Sequence, residues 1–384
     1  EPGPWQTSRT PYLRDIMDAL SPSSPIEQVV FQKGAQVGGT EAGNNWIGFI
    51  IDMAPGPTMM VLPTVETAKR ASKQRIDALI EESPRLRDKV RPARERDSGN
   101  TVLQKDFPGG TLIMTGANSA VGLRSMPVRN LFLDELDGYP ADADGEGDPV
   151  NLAIKRTATF ARRKVIMVST PSVEGASRIQ DAFEATDRRE FFVPCLGCGT
   201  YQTLKFEQLR WTSINRAPAH AAYECEACGA LHENADKARM LPAGEWRATA
   251  DSAHPRTVGF HLSALYSPPG WVSWGELAQE SIEAEKSAER NKTFVNTVLG
   301  RTYLEADEAP DWERLARMAG AHDKGTVPAG AAILTAGADI QGDRIEAEVV
   351  AWGRRRESWS VDYRIFNGDP SQDEVWQAFE SFVL

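Results

Sequence analysis

The sequence lacks any run of about 18 uncharged apolar residues, the length that crosses a bilayer as a helix. Its first residues, EPGPWQTSRTPYLRDIM, also lack the basic start and apolar centre of a signal peptide. We therefore expect a soluble, cytoplasmic protein with no membrane partner.

Basic residues are outnumbered, with 43 Lys and Arg against 54 Asp and Glu, for a net charge of -11. This balance disfavours a protein that coats nucleic acid non-specifically, although a local basic channel is compatible with it.

Cysteine is scarce: the 384 residues contain four, in two CxxC pairs, which favours a metal site in a reducing compartment over a disulfide framework. The length and the 41% hydrophobic content allow two or more domains.

The stretch 26–51, IEQVVFQKGAQVGGTEAGNNWIGFII, organises the rest of the chain. Residues 29–31 have the apolar character of a short buried strand, 33–39 form a glycine-rich loop, and 40–51 are compatible with a helix that opens with a Thr cap. Strand, glycine-rich loop and helix in this order are typical of a phosphate-binding loop.

The loop departs from the spacing GxxxxGK[ST], because Lys33 stands at the position of the first glycine and Gly39 at the position of the lysine. Gly34, Gly38 and Gly39 would let the loop expose backbone N–H groups at a helix N-terminus. Lys33 would reach a β- or γ-phosphate from the other end of the loop, and Thr40 would ligate Mg²⁺. An ordinary strand-to-helix turn is the alternative, and the loop by itself does not decide between them.

Further short apolar runs alternate with helical stretches and predict an α/β domain with a mostly parallel, buried sheet. One run ends in Asp134 and Glu135, where the first carboxylate can hold Mg²⁺ and the second can deprotonate an attacking water. This pair raises the phosphate-loop interpretation above that of a simple turn. Another apolar run ends in the tripeptide Ser-Thr-Pro, whose Thr170 hydroxyl can sense the γ-phosphate, although such a tripeptide by itself is usually a turn.

Arg124 is a candidate arginine finger, in cis or for a neighbouring subunit; the alternative is a surface arginine in a flexible loop.

The strongest single pattern is the pair of CxxCG knuckles. Each knuckle presents two thiolates to one ion, so Cys195, Cys198, Cys225 and Cys228 complete a closed tetrahedral site. With no position left for water, the predicted zinc is structural. His232 lies nearby and is not needed as a ligand.

The last part of the chain predicts a packed irregular segment over 259–274 and one long amphipathic helix over 276–299. A strand over 331–337 then leads to Asp339, followed by two hairpin partners over 344–352 and 357–366. An aspartate at the end of a first strand, before two antiparallel strands and a helix, is how a ribonuclease-H-like metal nuclease begins. A β-hairpin with a solvent-facing aspartate is the competing interpretation.

Several strings taken together carry a resemblance to a known family: RTPYLRDIMDAL, KGAQVGGTEAGNNWIG, LFLDELD, VSTPSVEG, both CxxCG knuckles, GFHLSALYSPPGWVSW and TAGADIQGDRIE. The chain resembles the lambda-type GpA large terminase subunits of tailed bacteriophages. This resemblance implies an ATP-driven motor that packages double-stranded DNA into a procapsid, with a C-terminal nuclease that cuts concatemers. It implies ATP, Mg²⁺ and structural Zn²⁺, with Mg²⁺ or Mn²⁺ for the nuclease. The implied partners are DNA, a small terminase subunit, the portal protein and further copies in a ring, in the host cytoplasm.

Two departures from the family pattern matter. Gly39 replaces the usual loop lysine, so Lys33 must carry that role. Residues 329–384 also cover only the first part of a nuclease fold, and Asp339 is the one acidic ligand assigned in them. We expect this chain to hydrolyse ATP and to cut DNA little or not at all.

The predicted fold is therefore an ASCE-type P-loop ATPase with a zinc-ribbon insertion and the start of a ribonuclease-H-like domain. We divide it into an ATPase core (1–190), a zinc ribbon (191–235), a helical and irregular segment with a linker (236–328) and the nuclease part (329–384). A helicase-like DNA-repair ATPase, and a non-catalytic zinc-ribbon DNA-binding or scaffolding protein with a degenerate loop, are the alternatives. The predicted nucleotide and Mg²⁺ residues are Lys33, Gly34, Gln36, Gly38, Gly39, Thr40, Asp134 and Thr170, with Glu135 and Arg124 catalytic and Asp339 a nuclease ligand.

Overall fold

The computed structural model describes residues 5–91, 100–214, 217–304, 323–341, 344–354 and 357–383. The chain divides into two compact units, Glu1–Glu305 and Ala306–Leu384. Among the described residues, no helix has the length and apolar character that a bilayer crossing requires.

The strands of the first unit form a large sheet and a small one. They are β1 (Gln28–Lys33), β2 (Thr58–Leu62), β3 (Gln104–Phe107), β4 (Gly110–Gly116), β5 (Asn130–Asp134), β6 (Lys164–Ser169), β7 (Arg189–Pro194), β8 (Tyr201–Gln202), β9 (Leu209–Ile214), β10 (Ala217–Glu224), β11 (Leu231–Glu233), β12 (Glu245–Arg247) and β13 (Thr257–Leu262).

The helices of this unit lie between the strands. They are α1 (Leu13–Ala19), α2 (Gly39–Asp52), α3 (Val65–Ala71), α4 (Asp77–Glu82), α5 (Pro84–Arg87), α6 (Ala120–Leu123), α7 (Pro149–Lys155), α8 (Arg178–Glu184), α9 (Lys237–Met240), α10 (Trp274–Ala284) and α11 (Ala288–Phe294). A π-helical turn, Ser72–Ile76, joins α3 to α4, and another, Val295–Leu299, extends α11. Short 3-10 turns are Thr7–Arg9, Leu136–Gly138, Phe206–Gln208, Asn234–Asp236 and Ala264–Tyr266.

The large sheet has the order β12-β7-β13-β1-β6-β5-β2-β4-β3, and β8 pairs with β7. Its central pairs, from β13 to β4, are parallel. Strands β2, β5 and β6 are buried along their whole length, which is why the sequence shows continuous apolar runs and not alternation. The prediction of a mostly parallel α/β sheet is confirmed.

The parallel arrangement brings the carboxyl ends of the central strands to one edge. Lys33 ends β1, Asp134 ends β5 and Ser169 ends β6. Ligands of open α/β sheets bind at this edge. Helix α2 begins there at Gly39, with Gly38 as its N-cap in the left-handed region at φ 83°. The predicted Thr40 cap is therefore wrong, since Thr40 lies inside the helix.

Two segment predictions near the end of this unit are also wrong. The first part of 259–274 is not irregular but forms β13, which pairs in parallel with β1. It escaped detection because it is short and buried among aromatic and proline residues. The helix predicted over 276–299 is two helices, since Ser287 caps α11 by accepting a hydrogen bond from the Arg290 N–H at 3.3 Å. The predicted domain boundaries stay a proposal.

The cysteine-bearing sheet has the order β11-β10-β9 and is antiparallel. It is inserted in the sequence between β8 and β12, so strands of the large sheet precede and follow it.

The second unit contains β14 (Ile333–Ile340), β15 (Arg344–Trp352), β16 (Ser358–Asn367) and α12 (Asp373–Val383). Its three strands form an antiparallel sheet, in the order predicted from the sequence. The helix packs on the sheet through aromatic contacts such as Phe366 with Phe379, whose ring centroids are 6.0 Å apart.

Two glycines of α2 give a stability test of the packing beneath the site. A Cβ added at Gly43 would stand 2.2 Å from the Phe132 ring, whereas at Gly48 its nearest contact would be 3.5 Å from Leu86. We expect Gly43→Ala to lower the free energy of unfolding by about 1–3 kcal/mol through overpacking. Gly48→Ala should raise it by up to about 1 kcal/mol through helix propensity. Urea unfolding checks both, and equal shifts would contradict the packing of α2 on β5.

Candidate nucleotide site and cysteine cluster

Lys33 and Gly39 are in direct contact across the loop. Lys33 is 8% exposed, and a Cβ added at Gly39 would stand 2.5 Å from its Cδ and 2.6 Å from its Cε. The lysine side chain therefore lies over the first residue of α2 and fills the space that a side chain at position 39 would occupy. The exchange of residue types seen in the sequence thus brings the lysine back to the helix N-terminus.

The beginning of the loop is fixed by backbone hydrogen bonds. The Gly34 N–H donates to the Leu262 carbonyl at 2.8 Å, and the Ala35 N–H donates to the Thr297 carbonyl at 2.6 Å. A Cβ at Gly34 would lie 2.8 Å from both the Ala264 nitrogen and the Thr297 oxygen. The prediction that Gly34 offers its N–H to a ligand is therefore wrong. A glycine is required at position 34 because the backbones of Ala264 and Thr297 leave no space for a side chain.

The end of the loop has the geometry of an anion site. Gln36 and Gly38 both adopt left-handed backbone conformations, at φ 55° and 83°. Within the described chain, no hydrogen bond uses the N–H groups of Val37, Gly38, Gly39 or Thr40. Successive free N–H groups at the start of a 14-residue helix favour a phosphate or another anion.

A buried carboxylate faces this loop from the neighbouring strand end. Asp134 is 2% exposed and accepts a hydrogen bond from the Thr40 hydroxyl at 3.3 Å. Burial raises the pKa of Asp134 to about 6, Glu135 adds to the rise, and the Lys33 ammonium and the Thr40 hydroxyl oppose it. Burial also lowers the pKa of Lys33, against the charges of Asp134 and Glu135. The structure therefore brings together Lys33, Gly39, Thr40 and Asp134.

Glu135 adopts a left-handed backbone at φ 58° and is exposed. For a residue other than glycine this conformation costs of order 1 kcal/mol, and it recurs at functional sites. The backbone thus turns directly after the buried Asp134, which places an exposed carboxyl beside a buried one.

Asp137 is a residue that the sequence analysis missed. Its carboxylate accepts from the Ser172 hydroxyl at 2.7 Å and from the Ile179 N–H at 2.9 Å, and its own N–H donates to the Ser169 hydroxyl at 3.1 Å. The Ser169 hydroxyl in turn donates to the carbonyl of the predicted Thr170, which is half-buried. Asp137 therefore ties the turn after β5 to the turn after β6. Its adjacency to Asp134 and Glu135 was the signal for it.

Arg75 was also missed, because the π-helical turn that carries it reads as ordinary helix. Its guanidinium lies 3.5 Å from the carboxylate of Glu41, one residue after Thr40, and its charge opposes the rise in the pKa of Asp134. The predicted Arg124 is placed differently. It forms a 2.7 Å ion pair with Glu146, and both side chains are partly exposed.

The four cysteines converge on one point. Their sulfur atoms all lie within 4.8 Å of one another, and Cys195 and Cys225 are buried while Cys198 and Cys228 are exposed. Within the described residues this is the one group of three or more ligand side chains so arranged. Sulfur-only donors in this arrangement fit a metal ion held by protein alone.

The two knuckles have the same backbone geometry. The Gly199 N–H donates to the Cys195 carbonyl at 2.9 Å, and the Gly229 N–H donates to the Cys225 carbonyl at 3.0 Å. Both glycines are left-handed, at φ 76° and 71°. His232 places its Nε2 3.3 Å from the Cys195 sulfur, in the position of a partner to a ligand and not of a fifth ligand.

Asp339 lies near the end of β14, opposite Glu346 of β15. Its carboxylate is exposed and accepts a hydrogen bond from the Gln341 amide at 2.5 Å. Its predicted role as a nuclease ligand stays a proposal.

Two protein-family models match this chain. Residues 1–246 match the phage terminase large subunit gpA ATPase domain, and residues 257–384 match the terminase large subunit gpA endonuclease domain. The chain belongs to the gpA family of phage terminase large subunits. The resemblance stated from the sequence is confirmed. The two domain families imply nucleotide and divalent metal use.

Two relatives of this gpA-family chain are named terminase large subunits. That of Escherichia phage lambda is 31% identical, covering 97% of this chain and 61% of the relative. That of Enterobacteria phage P21 is 29% identical with the same coverages. The chain thus spans about three fifths of the length of these relatives.

Solved terminase structures are more distant from the chain. The HK97 bacteriophage large terminase is 13% identical, with a TM-score of 0.47 over 95% of this chain and 64% of that one. The large terminase ATPase domain of Thermus phage P74-26 is 14% identical, with a TM-score of 0.39 over 75% and 93%.

The contact of Lys33 with Gly39 predicts that the smallest side chain at position 39 disturbs the site. Gly39→Ala should displace Lys33 and weaken binding of a fluorescent ATP analogue by about tenfold, a loss of about 1.4 kcal/mol. Gly48→Ala, in the same helix but without such a contact, is the control. Unchanged affinity in Gly39→Ala would show that Lys33 does not need this place.

Proposed function

We propose that this chain is part of an ATP-driven motor that translocates double-stranded viral DNA into a procapsid, with a metal-dependent nuclease in its C-terminal part. The observation that carries the ATPase proposal is the buried Lys33, which crosses the loop to Gly39 at the start of α2 and lies near Asp134. The family membership of the chain supports the rest of the proposal.

Each residue of the loop has a proposed role. The N–H groups of Val37 to Thr40 bind the ATP phosphates, together with Gln36, and Lys33 neutralises charge on the β- or γ-phosphate. Thr40 and Asp134 hold Mg²⁺, which when bound neutralises the charge that develops on the phosphates. Their present hydrogen bond shows that the two side chains already face each other.

Hydrolysis needs a base and a sensor. Glu135 is proposed to take a proton from the attacking water, because it is exposed beside the buried Asp134. Thr170 senses the γ-phosphate at the end of β6, where Ser169 and Asp137 fix the turn. Asp137 thus links the base and the sensor.

Arg124 is proposed as an arginine finger that serves a neighbouring copy in a ring. Its ion pair with Glu146 is partly exposed, and such pairs contribute little stability and exchange readily. Arg124 is therefore free to leave Glu146 for a phosphate. The further proposed partners are DNA, the small terminase subunit and the portal protein, in the host cytoplasm.

The cysteine cluster is proposed to hold one structural Zn²⁺, since four sulfur ligands leave no position for water. Asp339 is proposed as one ligand of the nuclease Mg²⁺ or Mn²⁺. A two-metal site needs several carboxylates, so Asp339 would act together with other acidic ligands.

The ATPase assignment is tested by two variants that should fail differently. Lys33→Ala removes the phosphate contact and should weaken both nucleotide binding and hydrolysis. Glu135→Gln should bind ATP as the unchanged chain does and slow hydrolysis by about 10²–10⁴-fold, since only the base is lost. Binding is followed with a fluorescent ATP analogue and turnover by phosphate release.

Two exposed residues provide controls, Lys205→Ala and Glu66→Gln, because both side chains lie in surface ion pairs. The double variant Lys33→Gly with Gly39→Lys restores the common loop spacing and should bind nucleotide better than Lys33→Gly alone. Normal hydrolysis by Lys33→Ala or by Glu135→Gln would refute the assignment of that residue.

The zinc proposal predicts about one Zn²⁺ per purified chain by elemental analysis. Cys225→Ser removes a buried ligand and should abolish stoichiometric zinc and lower solubility, because the knuckles no longer close. His232→Ala should retain the ion with weaker affinity, since His232 contacts a ligand sulfur. Full zinc content in Cys225→Ser would contradict the four-cysteine site.

A further inference from the structure

Lys237 is a buried cation that neither the loop nor the cysteine cluster uses. It is 0% exposed, and among the described residues it forms no ion pair, although the charge of the Glu276 carboxylate acts on it. Burial lowers the pKa of Lys237 to about 7. Burial of an ammonium without a paired carboxylate costs free energy. We therefore expect Lys237 to hold neighbouring segments in place.

The partners of Lys237 are two backbone carbonyls of one turn, residues 267–272. Its ammonium donates to the Ser267 carbonyl at 2.7 Å and to the Val272 carbonyl at 3.2 Å. It also lies 5.1 Å from the ring centroid of Trp274, which is 0% exposed. These contacts close the segment 267–272 into a loop, which the Val272 N–H reinforces by donating to the Ser267 hydroxyl at 3.2 Å.

The same turn supports the nucleotide loop. The buried Ser267 hydroxyl donates to the Gln36 carbonyl at 3.3 Å. The ring of Trp271 would be 3.8 Å from a Cβ added at Gly38. The turn that Lys237 holds therefore bonds to Gln36 and lies beside Gly38, the two left-handed residues that shape the anion site.

On its other side, Lys237 belongs to the cysteine-bearing part of the chain. It opens α9, directly after the turn Asn234–Asp236 that follows β11. The Asn234 side chain accepts from the Trp274 N–H at 3.1 Å. Tyr223, which lies opposite His232 in the small sheet, packs on the Trp274 ring at 5.7 Å. A continuous set of contacts thus runs from the cysteine cluster to Gln36.

We propose that Lys237 is a positioning residue of the nucleotide loop, which fixes the Ser267 turn beneath Gln36 and so makes the cysteine-bearing sheet a support of the nucleotide site. This inference rests on the proposed ATPase function. Lys237 touches no reacting atom and acts through Ser267. Loss of its ammonium leaves Lys33, Asp134 and Glu135 in place but lets the loop leave its binding conformation.

The test is Lys237→Met, which keeps the length and apolar contacts of the side chain but removes both hydrogen bonds. We expect the Kd of a fluorescent ATP analogue, and the KM for ATP, to rise about tenfold, because the loop then spends less time in the binding conformation. kcat at saturating ATP should stay close to that of the unchanged chain. Lys205→Met, an exposed lysine on the same part of the chain, should change none of these values.

Ser267→Ala keeps the test decisive if Lys237→Met does not fold, as judged by thermal melting, because it removes only the hydroxyl that meets Gln36. It should raise Kd in the same direction. In the double variant the two effects should not add, since both act through one turn. A folded Lys237→Met with unchanged Kd, additive effects, or a lower kcat with unchanged Kd would each overturn the proposal.

Metal removal tests the connection to the cysteine cluster. After chelation, desalting and restoration of Mg²⁺, the unchanged chain should bind the analogue more weakly and recover when Zn²⁺ is added. Lys237→Met should show little further loss, and equal losses in both chains would overturn the coupling. If the unchanged, zinc-loaded chain does not bind the analogue at all, the proposed ATPase function fails, which distinguishes that failure from the failure of this inference.

Discussion

The close contact between Lys33 and Gly39 determines where the lysine side chain lies in the candidate nucleotide site. The lysine side chain reaches the helix N-terminus only because position 39 has no side chain, and a Cβ there would overlap its Cδ and Cε. The two positions are therefore coupled, and a change at either one alters the other. Burial would be costly for the Lys33 ammonium alone, but the negative charges of Asp134 and Glu135 offset part of that cost. The negative charges of Asp134 and Glu135 and the space left by Gly39 thus both favour the same position of the Lys33 side chain.

The position of this lysine depends in turn on what holds the start of the loop. Gly34 bonds to β13 through Leu262, and Ala35 bonds through Thr297 to the π-helical turn that extends α11. Gly300, left-handed at φ 65°, approaches so closely that an added Cβ would stand 2.7 Å from the Gly34 nitrogen. Two glycines thus let strand, loop and helix end meet without side chains between them. The segments whose prediction was wrong, 259–274 and 276–299, are the ones that make these contacts.

The parts of the fold that the sequence predicted are those whose signal is local. Continuous apolar runs mark β2, β5 and β6 because both faces of a central parallel strand are buried. The Asp134 and Glu135 pair and the CxxCG knuckles are short motifs, and their geometry is complete within a few residues. The contacts that the sequence did not predict join distant segments, such as Ser267 to Gln36 and Lys237 to Ser267. No periodicity or spacing encodes such contacts, since each depends on how the whole sheet brings two segments together.

The cysteine-bearing sheet connects a local motif, the two CxxCG knuckles, with the distant nucleotide loop. Its knuckles are each closed by two local backbone hydrogen bonds, so their shape needs little from the rest of the chain. The sheet nevertheless lies in sequence between β8 and β12, and so both of its ends are anchored in the large sheet. The proposed ion, bound by all four sulfurs, would restrain β10 and β11 relative to β8. Because α9 follows β11 almost directly, that restraint would extend to Lys237 and to the turn it holds. A closed metal site would therefore fix the position at which α9 begins, and the nucleotide loop is proposed to depend on that position.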